Sequence, residues 1–256
     1  MLDWIHRHTL LPADGGILLL ALCGALCIGL SKSGLAGTAT LNVVLMAKIF
    51  GAKPSVGIVL PMLIVADLLG YLINRQGGSW RQIVPMVPAA IVGVLAGWLL
   101  LDLVDNNTAR VVIGVLVIAL LAFNVVLNRR REQLLAMTRH RTFTWGMGGV
   151  AGVATMLANA AGPVMTVYLL AQRLEKSEHL GVFCRFFLFI NLFKLPFSGS
   201  LGLVTRPSLM TNLVLLPGIV AGIVLGWQIL KRIKQDAFEA TLAWFTAFAA
   251  VWLIVG

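Results

Sequence analysis

Residues 88–98 read PAAIVGVLAGW, and residues 217–227 read PGIVAGIVLGW. Both spell P-x4-G-x3-G-W inside an apolar run, which argues that the chain arose by duplication. Glycines four apart on a helix let a neighbouring backbone come close. Packing is therefore the role read for Gly93, Gly97, Gly222 and Gly226. A weaker echo sets Gly57 against Gly181, and the same offset of 124 carries Asp67 onto Asn191.

The rest of the composition places this duplication in a membrane. Of 256 residues, 59% are hydrophobic and 12% charged, and the mean hydropathy is +0.93. A soluble domain carries roughly 25% charged residues. A soluble core of this length cannot hide so much apolar surface, whereas lipid tails dissolve it. Apolar runs fall at about 17–30, 35–50, 55–73, 83–101, 108–128, 143–157, 160–172, 180–204, 209–230 and 237–255. Two regions differ from the rest. Residues 17–50 are interrupted by Ser31-Lys32-Ser33-Gly34, and residues 143–172 by Asn159-Ala160-Ala161-Gly162-Pro163. Each is too long for one straight span, and its pieces are short for two. Each reads as a broken helix or a re-entrant hairpin, which a membrane tolerates where the backbone is buried in protein or lines a wet cavity.

The formal net charge is +10 and the pI about 10.3. The basic residues lie mostly in short connections between apolar runs, the pattern of membrane topology and not of a nucleic-acid footprint. If both broken regions enter and leave on one side, the halves are inverted. The side of the Arg-rich connection then collects Arg75, Arg81, Arg129, Arg130, Arg131, Arg139, Arg141, Arg173, Lys176, Lys231, Arg232 and Lys234. The other side keeps Arg7, Lys48, Lys53, Arg110 and Arg206. If each broken region crosses once, the charges split almost evenly. The positive-inside rule favours the first arrangement, with both termini outside. The expected fold is an all-α integral membrane protein of two inverted repeats, each a broken helix or re-entrant hairpin followed by three transmembrane helices. Residues 1–128 form the N-terminal repeat, 129–141 a basic cytoplasmic linker and 142–256 the C-terminal repeat. The linker's charge serves topology, and anionic lipid is a second partner for it.

Several chemistries find no support. Cys23, Cys27 and Cys184 read as small packing residues, and three cysteines make no disulfide framework. His6, His8, His140 and His179 lie near ends or loops, so no histidine metal site is visible. The sequence has no HExxH, GxSxG, P-loop or CxxC motif. Neither an enzyme nor a cofactor is expected. The start MLDWIHRHTLLPADGG predicts no cleavable signal peptide.

With the loop charges set aside, Lys32, Asp67, Arg185 and Lys194 remain within the apolar runs. Each costs several kcal/mol in a bilayer unless paired or hydrated, so each is a functional candidate. Lys32 sits between the two arms of the first break, with Ser31, Ser33, Gly34 and Thr38 around it. A helix starting after the break would aim N–H groups and a positive dipole end inward, a cradle for an anion. Snorkelling to the interface is the plainer role for Lys32. In the second break, Asn159 is a good N-cap and Pro163 suits a first helical turn, with Gly162 between them. Asn191 and Lys194 share a helix face, and Arg185 stands nine residues before Lys194. Asp67 either pairs a buried cation or carries a coupling proton. Three cations facing one anion would favour an anionic ligand if they converge.

The run 29–38, GLSKSGLAGT, followed by 61–75, PMLIVADLLGYLINR, and Trp80 resembles the sulfite exporter TauE/SafE family. Residues 149–171, GVAGVATMLANAAGPVMTVYLLA, and 189–198, FINLFKLPFS, resemble it as well. The likeness runs from about residue 15 to 255. It implies a multi-pass permease of the bacterial cytoplasmic (inner) membrane that moves small sulfur anions such as sulfite, sulfonates or sulfoacetate. Lys32, Ser33, Gly34, Thr38, Asn159, Gly162, Arg185, Asn191 and Lys194 are the expected substrate-binding residues, with Asp67 for coupling or ion pairing. The leading expectation is a secondary transporter working by alternating access. A passive small-anion channel is the alternative. The expected partners are the small anion and membrane lipid, with a homodimer compatible and nucleic acid not.

Overall fold

The computed structural model describes residues 2–35, 38–129, 141–172, 174 and 176–229. Their regular structure is helical. The helices are α1 (Leu2–His8), α2 (Gly15–Lys32), α3 (Thr38–Phe50), α4 (Ala52–Ile73), α5 (Val87–Leu103) and α6 (Asn106–Arg129). After them come α7 (Arg141–Ala158), α8 (Gly162–Ala171), α9 (Lys176–Ser200) and α10 (Arg206–Ile229), with a 3₁₀ turn at Trp80–Gln82. Among the described residues five helices, namely α2, α4, α6, α9 and α10, are long and apolar enough to cross a membrane. Most of the linker expected at 129–141, and the last apolar run, lie outside the described residues.

The interior is mostly apolar but holds buried charges, and the outside is covered by large apolar side chains. Leu19, Val92, Leu103 and Leu213 are more than 60% exposed, while Lys194 and Asp67 are fully buried. A soluble protein has no use for this distribution, but hydrocarbon solvates the exposed side chains. Trp80, Trp145 and Trp227 are also exposed, as suits tryptophan at a membrane–water interface.

Both breaks expected from the sequence are present. Helix α2 begins at an Asp14 cap, whose Oδ1 accepts from the Gly16 and Ile17 amides at 2.7 and 3.2 Å. It ends in a Schellman turn: the Leu35 amide reaches the Leu30 carbonyl and the Gly34 amide the Ser31 carbonyl. Gly34 has φ 114°, a conformation that favours glycine. Helix α7 ends with Asn159 in the left-handed region at φ 54°. This corrects the expectation that Asn159 caps the start of the following arm. Asn159 terminates the first arm instead, which turns its amide toward the interior. The first arms, α2 and α7, have 18 residues each, and the return arms α3 and α8 have 13 and 10. At 1.5 Å per residue a first arm is about 27 Å long.

The two glycine motifs build matching contacts. A Cβ on Gly222 of α10 would overlap the backbone of Leu26 and Gly29 in α2; one on Gly93 of α5 would overlap Gly149 and Gly152 in α7. One turn on, Gly226 makes room for Ser33 and Gly97 for Met156. Thus α2 packs along α10, and α7 along α5. In both pairs residue numbers rise together along the contact, so the helices run parallel. Each first arm leans on the other half of the chain.

Helices α4 and α9 cross at the centre, running in opposite directions. Gly57 lies against Leu203, Asp67 against Asn191, Gly70 against Cys184, and Gly77 against Gly181. Gly57 and Gly181, matched in the sequence, each admit a backbone segment from the other half.

Candidate functional site

The tips of both broken regions meet the α4–α9 crossing. Lys32, the last residue of α2, places Nζ 2.6 Å from Asp67 Oδ1. The ammonium also lies over the rings of Phe187 and Phe183, 4.3 and 5.3 Å from their centroids, in cation–π range. Asp67 Oδ2 accepts from Asn191 Nδ2 at 2.7 Å. Asn191 Oδ1 faces Lys194 Nζ at 3.4 Å. Lys194 Nζ donates to the Thr155 carbonyl at 2.6 Å, to Asn159 Oδ1 at 2.7 Å and to Thr155 Oγ1 at 3.0 Å. Asn159 Nδ2 in turn donates to the Val56 carbonyl in α4 at 2.9 Å.

The result is one buried chain of polar contacts: Lys32, Asp67, Asn191, Lys194, then Thr155 and Asn159. It runs from the first hairpin tip through the crossing to the second. None of its members is more than 8% exposed. Local sequence explains each position. The α2 Schellman turn places Lys32 at the end of the arm. The left-handed Asn159 presents its side chain at the end of α7. The spacing of three brings Asn191 and Lys194 to one face of α9.

A charge exchange distinguishes the halves. Gly29 and Gly152 make matching contacts, which sets Lys32 against Thr155. The Asp67/Asn191 register sets Gly70 against Lys194. A Cβ on Gly70 would lie 3.6 Å from Lys32 Cβ, and Lys194 touches Thr155. The first half thus carries its lysine on the hairpin tip, and the second carries it on the crossing helix.

Some expected residues are elsewhere. Arg185 is not brought to the two lysines. Its guanidinium donates to the carbonyls of Gly77 and of Arg75, the latter at 2.7 Å. It lies over the Tyr71 ring at 5.1 Å, and Tyr71 packs near Trp80. Ser33 donates its hydroxyl to the Leu30 carbonyl and Thr38 to the Cys27 and Leu35 carbonyls, both at 2.8 Å. Ser31 does the same to Ile28 at 2.7 Å. These protons are committed to helix carbonyls rather than held ready for an anion. Gly34 serves the turn, and Gly162 opens α8 and is buried. Thr155, Phe183 and Phe187 escaped the sequence reading. Thr155 was within reach of it, because a register from Gly29 and Gly152 points to Thr155 from Lys32. The described residues contain no cluster of metal ligands.

Outside the apolar helices, Asp105 caps α6. Hydrogen bonds from Thr108, one of them its backbone N–H at 3.0 Å, hold the Asp105 carboxyl below the usual range.

Compared with protein-family models, residues 18–253 match that of the sulfite exporter TauE/SafE family. No curated protein and no solved structure matches.

Proposed function

The chain belongs to the sulfite exporter TauE/SafE family, a family of membrane transporters, and from that premise we propose that it is a secondary transporter of small sulfur-containing anions. Sulfite, sulfonates and sulfoacetate are the substrate class, carried across the bacterial cytoplasmic membrane by alternating access. The observation that carries this reading is the buried chain from Lys32 to Asn159. It holds two lysines and one carboxylate among the described residues, and it joins both hairpin tips to the central crossing.

Lys32 and Lys194 take the substrate's charge. Asn159, Asn191 and Thr155 orient Lys194, and the tips at Gly34 and Gly162 let backbone approach the substrate. Arg185 braces the 75–77 loop. The opposed run of α4 and α9, and the exchange of first arms between halves, support two inverted repeats, 1–128 and 142–256, joined by a basic cytoplasmic linker. Rocking one repeat against the other would expose the chain to each side in turn.

The test is flux into liposomes. Labelled sulfite or a sulfonate should enter saturably and show counterflow, and Lys32→Met and Lys194→Met should each cut the rate at least tenfold while still inserting. Linear, non-saturating conductance would replace the carrier with the channel. Undiminished flux in both variants would remove the site.

A further inference from the structure

We infer that Asp67 is a built-in competitor for the transported anion, and that each anion enters the site with one proton, which Asp67 takes up as it releases Lys32. This rests on the reading that the Lys32–Lys194 chain binds the anion.

In the structure the Asp67 carboxylate stands where a bound oxyanion would stand, 2.6 Å from the Lys32 ammonium and bonded to the Asn191 amide. Asp67 is fully buried and Lys32 is 4% exposed. An anion reaching Lys32 would meet the Asp67 charge in a site shielded from water, where like charges repel strongly. A proton on Asp67 removes the conflict. The neutral acid keeps an oxygen for Asn191 Nδ2, and its new O–H can donate to the anion. Lys32 is then free to pair with the substrate. One proton is bound as one negative charge enters, so the charge of the site is conserved for a divalent anion's first charge or a whole monoanion.

Asp67 is the one carboxylate in this chain of polar contacts. From α2, Lys32 faces Asp67; from α9, Lys194 and the Cys184 thiol do. Among the described residues, α3, α6, α7 and α10 bring no charged side chain against it. The matching place in the second half is Asn191, which does not titrate. Its Oδ1 faces Lys194, so the amide carries the link from carboxyl to second lysine in either protonation state.

The experiment uses the full chain, purified in detergent in weak buffer, with methanesulfonate and thiosulfate as probes. Neither probe exchanges protons near neutral pH. Uptake is read with a pH-indicator dye, and affinity by titration at several pH values. We expect about one proton taken up per anion, and a Kd that rises about tenfold per pH unit where Asp67 is ionised. Asp67→Asn should take up about one proton fewer per anion than the wild type, with a Kd that rises correspondingly less steeply with pH. Anion binding by the wild type without proton uptake, at a flat Kd, overturns the inference and leaves the anion site standing. If neither probe binds and no sulfur anion is transported, the functional reading falls and takes this inference with it. Should Asp67→Asn fail to fold, the wild-type proton count decides alone.

Discussion

Asn191 donates its side-chain amide to Asp67 at 2.7 Å although 124 residues separate them, the same offset that sets Gly57 against Gly181 in the sequence. Asn191 is the joint of the site: it serves Asp67 with its donor and Lys194 with its acceptor. Asn191→Leu should leave a carboxylate oxygen short of a partner and lower stability by about 1–3 kcal/mol. Thermal unfolding in detergent measures this, and an unchanged midpoint would show the bond to be dispensable.

Lys32 and Asp67 are worth more as a pair than either alone. Lys32→Met leaves a buried carboxylate without its cation, at a cost of about 3–5 kcal/mol. Lys32→Met with Asp67→Asn removes both charges and should recover most of that loss. A double-mutant cycle on unfolding midpoints reads the coupling, and additive effects would contradict it.

The glycine motifs make a purely steric forecast. A side chain at Gly29, Gly93, Gly152 or Gly222 meets backbone, which cannot rotate away, whereas Gly15 and Gly146 face open space. Gly29→Ala and Gly152→Ala should each cost about 1–3 kcal/mol by overpacking. Gly15→Ala and Gly146→Ala should leave the melting temperature near that of the wild type. Equal behaviour of the two sets would refute close approach at the motif.

Arg185 holds two carbonyls of one loop with a planar fork. Arg185→Lys keeps the charge and loses the fork. The variant should loosen the 75–77 loop, read as faster proteolysis there, and retain anion binding within about threefold, a shift worth roughly 0.6 kcal/mol. Loss of binding with an intact loop would return Arg185 to the substrate.

Asp105 supplies a pH dependence outside the membrane helices. Its folded pKa is lowered by the Thr108 hydrogen bonds, so its contribution is fully present above the ordinary carboxylate pKa of about 3.9. It is lost as pH falls through the lower, folded value. The stability gap between wild type and Asp105→Ala should be seen at pH 7 and close in strong acid. Asp105→Asn keeps a good cap and should show no such change. A gap constant from pH 7 to pH 2 would mean that the cap does not depend on the charge.

The sequence alone determined the class of fold. Apolar runs of membrane length, two interruptions and a repeated P-x4-G-x3-G-W are local patterns, and bilayer and backbone sterics read them directly. The breaks at Ser31–Gly34 and Asn159–Pro163 were legible for the same reason, since polar and turn-forming residues inside an apolar run have few other uses. The offset of 124 even matched Asp67 with Asn191. Only the tertiary structure decided which charges meet. Arg185 and Lys194 share a helix, but nine residues are two and a half turns, and the packing of α4 sends one to the loop at Gly77 and the other to Asn159. The hydroxyls of Ser33 and Thr38 looked free in the sequence, yet backbone carbonyls of α2 and of the turn after it accept them. The exchange of first arms between halves depends on helix–helix contacts far apart in the chain, and no local pattern carries it.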